Sequence, residues 1–327
     1  MNPIELIACI LLLISGHLFA QQEATTPDGK KVWLYENGTW HYATQPTEKI
    51  RHQTETLAEI EIPQIHTGNE IIRHTAYALL YNESHEQASW VAYELTKEET
   101  QKVTGRTNKF IPDPAVHSGT ACDEDYRSSG YDRGHLAPAS DMGWSATTMA
   151  ESFYYSNMSP QAPQFNRGIW KRMEDQVRSW AIENEAVYVV TGPVLRSGLP
   201  AIGPNSVSVP DFFFKAILDY REPEIKAIGF VMPNLGSSEN LNHFAVSIDS
   251  VEKISGINFF PSIPDAEEEK IESSLCVPCW SWTSRRQEHH KIETRNASDS
   301  KQCSGITKSG KRCRRMTTSA NGRCYQH

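Results

Sequence analysis

The chain has 327 residues, of which 39% are hydrophobic and 22% charged, with 19 Gly and 18 Pro. This composition is typical of a globular protein and excludes a collagen-like, coiled-coil or wholly disordered chain. The length corresponds to one large domain or two smaller ones with a substantial core. Residues 4–20 form the one long apolar run. Nothing after them approaches the roughly 20 apolar residues that span a bilayer, so we predict no internal transmembrane span.

Charge is distributed unevenly. Residues 285–327 contain eleven Lys or Arg against three Asp or Glu, a net charge of +8. The other 284 residues contain 21 basic and 37 acidic side chains, a net charge of −16. The sequence therefore predicts an acidic body with a basic tail, which either contacts a polyanion or is simply solvated.

The N-terminal apolar run predicts a signal peptide. Residues 7–14 are apolar, and Leu-Phe-Ala at 18–20 precedes the polar pair Gln21 and Gln22. This is the layout of a secretory apolar region followed by a cleavage site. We therefore assign residues 1–20 to a signal peptide and expect an exported protein, periplasmic or secreted. The alternative is a buried N-terminal helix.

Further along the chain, the pattern of aromatic and β-branched residues predicts mainly strands. Residues 27–42 form a small β-hairpin around Asn37-Gly38, a strong turn signal, and the polar residues 43–70 form a linker. Apolar spacings of three and four predict a helix over 166–184. Strands are predicted at 75–81, 89–95, 186–191, 211–218, 225–232 and 244–248. Many strands with few helices favour an α+β fold with a mixed or antiparallel sheet core.

Two segments carry the chemistry. The first is Asp132-Arg133-Gly134-His135, and the second runs from Asn157-Met158-Ser159-Pro160-Gln161 to Asn166-Arg167-Gly168-Ile169-Trp170. Together these motifs resemble the DNA/RNA non-specific endonucleases of the ββα-metal superfamily. The resemblance runs through about residues 70–270, and we assign an endonuclease domain to 71–275. It implies a ββα-metal motif in which a hairpin carries the base and the next helix carries the metal.

The resemblance implies a role for each motif residue. His135 is the general base that deprotonates the attacking water, and an ordinary histidine pKa of about 6.5 suits this task. Arg133 and Arg106 stabilise the charge of the transition state, with Arg127 as a competitor for the second position. Asn157 organises the site through hydrogen bonds.

Asn166 matches the single direct Mg²⁺ ligand of that family, with Mn²⁺ as a possible substitute. An amide oxygen and water suit a hard cation that keeps most of its water shell. The alternative is that Asn166 only caps the helix. Glu174 lies eight residues later, about 80° around and roughly 12 Å along an α-helix, so it would hold a metal-bound water or orient an arginine. The alternative for Glu174 is an exposed helix carboxylate.

The implied function is an exported, Mg²⁺-dependent endonuclease that hydrolyses DNA and RNA without sequence specificity. The first alternative is a secreted nucleic-acid-binding protein without turnover. The second is a thiol oxidoreductase built on Cys276 and Cys279, a pair that could equally form a disulfide, pair with Cys122 or remain as thiols. Lys215 would contact nucleic acid or simply end a strand.

The basic tail combines cysteines with a histidine. Cys303, Cys313, Cys324 and His327 are the ligand set of a Cys₃His zinc site, and disulfides are the alternative. The segment also resembles a short bacterial Cys-x-Gly-x-Thr-x-x-Gly-x-x-Cys module. We predict a linker over 284–302 and a basic Cys/His module over 303–327.

Overall fold

The computed structural model describes residues 22–25, 31–34, 40–42, 59–66, 68, 70–222, 224–282, 301–307, 312–317 and 321–323. The predicted signal peptide and most of the predicted linker 284–302 lie outside these residues. The chain divides into two compact units, 1–56 and 57–327. Among the described residues, no helix has the length and apolarity needed to cross a membrane.

The first unit contains three antiparallel strands in the order β1-β2-β3. They are β1 (Gln22–Thr25), β2 (Lys31–Leu34) and β3 (Trp40–Tyr42). The last two strands pair within the predicted hairpin 27–42, with Val32 opposite Tyr42. The sequence did not predict the first strand.

The second unit is organised around one seven-stranded sheet with the order β14-β13-β12-β9-β6-β5-β4, in which all neighbours are antiparallel. Its strands are β4 (Ile71–Arg73), β5 (Ala78–Asn82), β6 (Gln87–Thr96), β9 (Ala186–Pro193), β12 (Phe212–Asp219), β13 (Lys226–Pro233) and β14 (Ala245–Val246). The fold is α+β with an antiparallel sheet core, which confirms the predicted class.

Shorter elements surround the sheet. Two strands, β7 (Asp132–His135) and β8 (Met158–Gln161), form a separate antiparallel pair. A second small pair is β10 (Ala201–Ile202) with β11 (Val207–Ser208). The helices are α1 (Asp123–Tyr126), α2 (Ala146–Glu151), α3 (Lys171–Glu183), α4 (Ile248–Ser255) and α5 (Asp265–Ser273).

Alternation along the strands gives the sheet two apolar faces. In β12, Phe213 and Ile217 belong to one core cluster, together with Trp180 of α3. Phe214 belongs to the other cluster, together with Val251 of α4. Because successive side chains of a strand point to opposite faces, α3 packs on one face and α4 on the other. The apolar residues that predicted the helix at 166–184 are buried, at most 1% exposed, as expected: Ile169, Met173, Val177, Trp180 and Ala181.

Part of the predicted linker 43–70 packs as structure. Ile60 and Ile62 are buried in the core cluster on the α4 face. Glu59 accepts hydrogen bonds from Arg73, at 2.7 Å from Nη2. The described residues 59–62 are therefore part of the packed second unit, and the predicted linker extends too far toward the C-terminus.

The C-terminal segment forms a small two-stranded pair of its own. Strand β15 (Lys301–Gln302) is antiparallel to β16 (Met316–Thr317). Cys303 and Cys313 are buried together, and the backbone N–H of Gly305 lies 3.3 Å from Cys303 Sγ. Cys324 and His327, the other two predicted ligands, lie outside the described residues.

Candidate active site

His135 ends strand β7 and is fixed by the hairpin with β8, where it pairs with Met158. Its side chain is only 7% exposed. The imidazole meets the ring of Phe153 edge-on, with 4.9 Å between ring centroids. Its Nε2 atom is buried and has no hydrogen-bond partner among the described residues. A buried polar atom without a partner is uncommon in a stable fold and is a feature of functional sites.

The surroundings of His135 keep its imidazole neutral. Burial, and secondly the positive charge of Arg106, lower its pKa to about 3. This differs from the expectation of an ordinary pKa near 6.5. The reason is tertiary: the sequence shows the Arg-Gly-His motif but not the aromatic residues that remove the imidazole from water. At neutral pH the imidazole can therefore accept a proton, although with less affinity than a free histidine.

Asn157 holds the chain immediately after His135. It is fully buried, and its Oδ1 accepts a hydrogen bond of 2.8 Å from the N–H of Ala137. Its Nδ2 donates to the carbonyls of Ala137 and Ser152, both at 2.9 Å. Asn157 thus ties the segment after β7 to the start of β8, and its role in the active site stays a prediction.

The helix that follows the hairpin begins irregularly. Phe165–Trp170 is a π-helical turn, and Gly168 has non-helical angles of φ −107° and ψ −108°. Regular α-helix starts only at Lys171. One alternative and one estimate fail here. Asn166 does not occupy the N-cap, which is Gln164. The α-helical estimate of 80° and roughly 12 Å between Asn166 and Glu174 does not apply, because the irregular turn lies between them.

Asp132 orients Asn166. The Nδ2 of Asn166 donates to Asp132 Oδ2 at 2.9 Å, and Arg167 donates to the same carboxylate at 2.8 Å from its Nε. Burial alone would raise the pKa of Asp132, but the hydrogen bonds from Arg167 and Asn166 hold it below the ordinary value. Asp132 was missed as a site residue, although it begins the motif that contains His135.

The donor set around Asn166 fits a hard divalent cation. With its Nδ2 bound to the Asp132 carboxylate, the amide leaves Oδ1 as its remaining polar atom, and an amide oxygen is a good ligand for Mg²⁺. Which end of an amide is oxygen follows from the hydrogen-bond network, and the carboxylate requires the NH₂ end here. Asn166 would therefore hold the ion through Oδ1, with Asp132 fixing the orientation of the amide.

The arginines take different positions. The guanidinium of Arg106 lies 4.9 Å from the centre of the Phe153 ring, the same ring that His135 meets, and its Nε donates to Asn108. Arg106 is therefore beside the candidate base. The competitor Arg127 is exposed and pairs with Glu124 at 3.2 Å.

Arg133 points toward a polar pocket. Its guanidinium pairs with Asp123, lies 3.4 Å from the hydroxyl of Tyr155 and covers the ring of Phe110 at 4.2 Å. The pocket is lined by Asp123, Tyr126, Arg127, Tyr131, Asp132 and Arg133. Arg133 and Asp132 thus connect this pocket to the residues around Asn166.

Glu174 of α3 is partly buried and interacts electrostatically with other charged side chains, among them Arg178 and Lys215. Burial raises its pKa to about 7, against the lowering effect of Arg178 and Lys215. Burial likewise lowers the pKa of Lys215 to about 8. Arg178 lies 2.5 Å from Asp141. Glu174 is therefore not an ordinary exposed helix carboxylate, and the charge of Arg106 links it electrostatically to the His135 side of the site.

Lys215 does not reach a nucleic-acid surface. It is fully buried in the middle of β12, where its Nζ donates to Thr191 at 3.1 Å and lies 4.6 Å from the centre of the Trp170 ring. It is not a strand-end residue either. Both expectations were wrong. The strand pattern did not show that α3 covers the face of the sheet on which Lys215 lies.

The remaining cysteines are arranged simply. Cys276 and Cys279 form a disulfide, which removes the free-thiol and Cys122-pairing alternatives for them. Cys122 is a free thiol.

A hairpin that carries a histidine, followed by a helix with an asparagine at its start, defines a ββα-metal nuclease. The chain belongs to the DNA/RNA non-specific endonuclease family, whose model matches residues 58–266. It is 34% identical over 258 residues to the mitochondrial nuclease EXOG of Danio rerio, covering 73% of each chain. It is 38% identical over 203 residues to the mitochondrial endonuclease G of Bos taurus, covering 58% of this chain and 68% of that one.

The fold comparison agrees. A crystal structure of an EndoG/EndoGI complex matches with a TM-score of 0.59 and 32% sequence identity, covering 64% of this chain and 91% of that chain. The family match begins at residue 58, close to the buried pair Ile60 and Ile62. The protein is therefore a nuclease, a hydrolase of nucleic acids, in a family whose members depend on a metal, typically Mg²⁺.

Proposed function

We propose that the protein is an exported, Mg²⁺-dependent endonuclease that cleaves DNA and RNA without sequence specificity. The observation that carries the proposal is the state of His135. Its imidazole is buried, neutral and next to Arg106, and it lies on the hairpin that precedes Asn166. A neutral imidazole beside a guanidinium is suited to take a proton next to a phosphate.

In the proposed reaction His135 acts as general base. Its buried Nε2 has no hydrogen-bond partner among the described residues, and we assign to Nδ1 the transfer of the proton from water. The resulting hydroxide forms a bond to phosphorus, and the bond between phosphorus and the leaving oxygen breaks. That oxygen takes a proton from solvent, and His135 returns its own proton to solvent.

The other residues bind and orient. Arg106 and Arg133 place positive charge near the phosphate oxygens, where charge grows in the transition state. A Mg²⁺ ion held by Asn166 would supply further positive charge there. Asp132 keeps the Asn166 amide in position. Glu174 provides a partly buried carboxyl group on the face of the sheet that α3 covers.

The absence of sequence specificity follows from the chemistry of the proposed contacts. Arginines and a metal address phosphate groups, and phosphate contacts carry no base information. Acceptance of both DNA and RNA requires only that the sugar 2′-hydroxyl is not recognised.

Export is supported by one covalent feature. The Cys276–Cys279 disulfide is characteristic of proteins that fold in an oxidising compartment. It agrees with the predicted signal peptide at 1–20 and a periplasmic or secreted location.

The tail is proposed to bind Zn²⁺ through Cys303, Cys313, Cys324 and His327. Support comes from the first two residues, whose side chains are buried together in a small strand pair. Thiolates gathered in a segment too small for an apolar core are typical of structural zinc.

The test uses residues 21–327 with supercoiled plasmid and with RNA, in Mg²⁺ and in EDTA. The wild-type protein should cleave both substrates internally, and EDTA should stop cleavage. His135→Ala should lower the rate by about 10² to 10⁴, the usual contribution of a positioned base, without loss of nucleic-acid binding. A His135→Ala protein that cleaves at the wild-type rate would exclude the proposed base. Binding without cleavage by the wild-type protein would favour the alternative without turnover.

A further inference from the structure

Three carboxylates meet on the face of the sheet that lies opposite α3. They are Asp249 and Glu252 of α4 and Glu272 of α5, and each offers an oxygen within 4.8 Å of the others. The apolar residues Val251 and Ile271 of the same two helices belong to the core cluster on this face, away from the residues around His135.

Glu272 is the unusual member of this group. It is only 6% exposed, and its Oε1 is buried without a hydrogen-bond partner among the described residues. Glu268, one turn earlier on α5, also has a buried Oε1 without a partner. A buried carboxylate that is neither hydrogen-bonded nor paired is costly, because it has lost its hydration without compensation.

Ion pairs with basic side chains do not offset the cost of burying these carboxylates in the part of the chain that the structure describes. Among the ion pairs of the described residues, none involves Asp249, Glu252, Glu268 or Glu272. Glu252 accepts one hydrogen bond within the described part of the chain, from the N–H of Phe259 to its Oε1 at 2.8 Å. Burial, and then the neighbouring Glu252, Glu268 and Asp249, raise the pKa of Glu272 to about 8.

We infer that Asp249, Glu252 and Glu272 form a second cation site, separate from Asn166, that binds Ca²⁺ and joins α4 to α5. The donor set favours Ca²⁺ over Mg²⁺. Mg²⁺ keeps several waters and is usually held by one or two carboxylates, whereas Ca²⁺ accepts more carboxylate oxygens in a flexible geometry. Three carboxylates from two helices, with oxygens within 4.8 Å of one another, therefore suit Ca²⁺.

The site would act on stability rather than on the reaction. A cation that binds only the folded protein stabilises it by mass action. Mixed carboxylate sites of this kind in extracellular modules have dissociation constants on the order of 10⁻⁴ to 10⁻³ M. Binding would thus hold the two helices on the sheet in a calcium-rich medium outside the cell.

The test measures Ca²⁺ binding and thermal unfolding of the full chain after removal of metal with EDTA. All proteins carry Asn166→Ala, which removes the proposed Mg²⁺ ligand from the comparison. Equilibrium dialysis against Ca²⁺ should find about one ion per chain, and 10 mM Ca²⁺ should raise Tm by about 3–6 °C. Addition of Glu272→Gln should abolish both effects and leave the Ca²⁺-free Tm at pH 7 nearly unchanged, because a carboxyl group with a pKa of about 8 is mostly protonated there and the amide resembles it.

Two further variants make the result specific. Glu269→Gln, on the exposed side of the same helix, is the matched control and should retain both effects. Asp249→Asn changes an exposed ligand and should weaken Ca²⁺ binding even if Glu272→Gln fails to fold. The proposal is overturned if Ca²⁺ binds none of these proteins, or if Glu272→Gln and Asp249→Asn bind it as tightly as the Glu269→Gln control. Because cleavage is not measured, neither result depends on the proposed nuclease mechanism.

Discussion

His135 couples the site to the stability of the protein. In the unfolded chain a histidine has a pKa near 6.5, whereas burial and Arg106 lower the pKa of folded His135 to about 3. Between these two values the unfolded chain holds a proton that the folded protein does not. The stability that this difference provides is therefore complete above pH 6.5 and is lost as pH falls toward 3.

We predict that a His135→Gln variant lacks this loss. Between pH 6.5 and 4.5 the free energy of unfolding of the wild-type protein should fall by about 2 kcal/mol more than that of the variant. Urea unfolding at several pH values measures the difference, and the other titrating groups cancel in the comparison. Parallel curves for the two proteins would show that the imidazole is not shielded from protons.

Asn166 and Glu174 should differ in how they affect the metal. Asn166→Ala removes the amide oxygen, so the Mg²⁺ concentration for half-maximal cleavage should rise, and high Mg²⁺ or Mn²⁺ should partly restore the rate. Glu174→Ala should lower the rate by about 10- to 100-fold, the usual cost when a residue next to the ligands is removed. If Asn166→Ala cleaves normally at ordinary Mg²⁺ and only lowers Tm, its role is structural.

At the scale of elements, helix α3 is attached to the segment between β7 and α2 by a buried ion pair. Arg178 lies 2.5 Å from Asp141, which is fully buried and also accepts a hydrogen bond from Tyr93 at 3.0 Å. Removal of one partner leaves the other charge buried without compensation, which typically costs about 3–5 kcal/mol. The exposed pair of Lys171 and Asp175 lies on the same helix at the same distance, 2.5 Å.

We therefore predict unequal effects of two similar substitutions on α3. Arg178→Met should lower the free energy of unfolding by about 3–5 kcal/mol. Lys171→Met should change it by about 0.5 kcal/mol or less, because the exposed pair is screened by water. Denaturant titration measures both, and similar values for the two variants would contradict the role assigned to Asp141.

The same helix shows what sequence patterns can and cannot predict. The spacing of Met173, Val177 and Trp180 predicted a buried helical face, and these residues are buried. The start of the helix was not predictable, because a π-helical turn depends on how the Asn166 region meets Asp132. Periodicity shows which side of a helix or strand is apolar. It does not show which charged side chains of other elements pack against that helix or strand.

Lys215 shows that a correctly predicted strand does not reveal the surroundings of each of its side chains. Strand β12 was predicted almost to its ends, because Phe212-Phe213-Phe214 and the apolar residues that follow have strong strand preferences. The strand pattern placed Lys215 on one of two faces, and only the packing of α3 decides that this face is buried beside Glu174. The family motif indicated His135 and Asn166, the proposed base and metal ligand. It did not indicate Asp132, which accepts a hydrogen bond from Asn166, or the buried pair of Asp141 and Arg178.

For the whole molecule, the negative charge of most of the chain opposes the binding of a negatively charged nucleic acid. Residues 1–284 carry a net charge of −16, so at long range they repel a polyanion, whereas residues 285–327 carry +8. The basic residues of the tail are concentrated between the proposed zinc ligands: Lys308, Lys311, Arg312, Arg314, Arg315 and Arg323. We propose that the tail recruits nucleic acid to an acidic nuclease body.

Deletion of residues 301–327 tests whether the tail binds nucleic acid while the rest of the chain cleaves it. Each phosphate neutralised on duplex DNA adds about 0.9 to the negative slope of log affinity against log salt. The deletion should therefore weaken binding mainly at low salt and flatten this slope, while the cleavage rate on short substrates at saturating concentration stays unchanged. Metal analysis of the full chain should find about one zinc that the truncated protein lacks. The proposal fails if the salt slope is unaltered and the tail holds a disulfide and no zinc. The positive charge of the tail would then make no measurable contact with phosphate. The tail would instead be a recognition or anchoring segment for another protein.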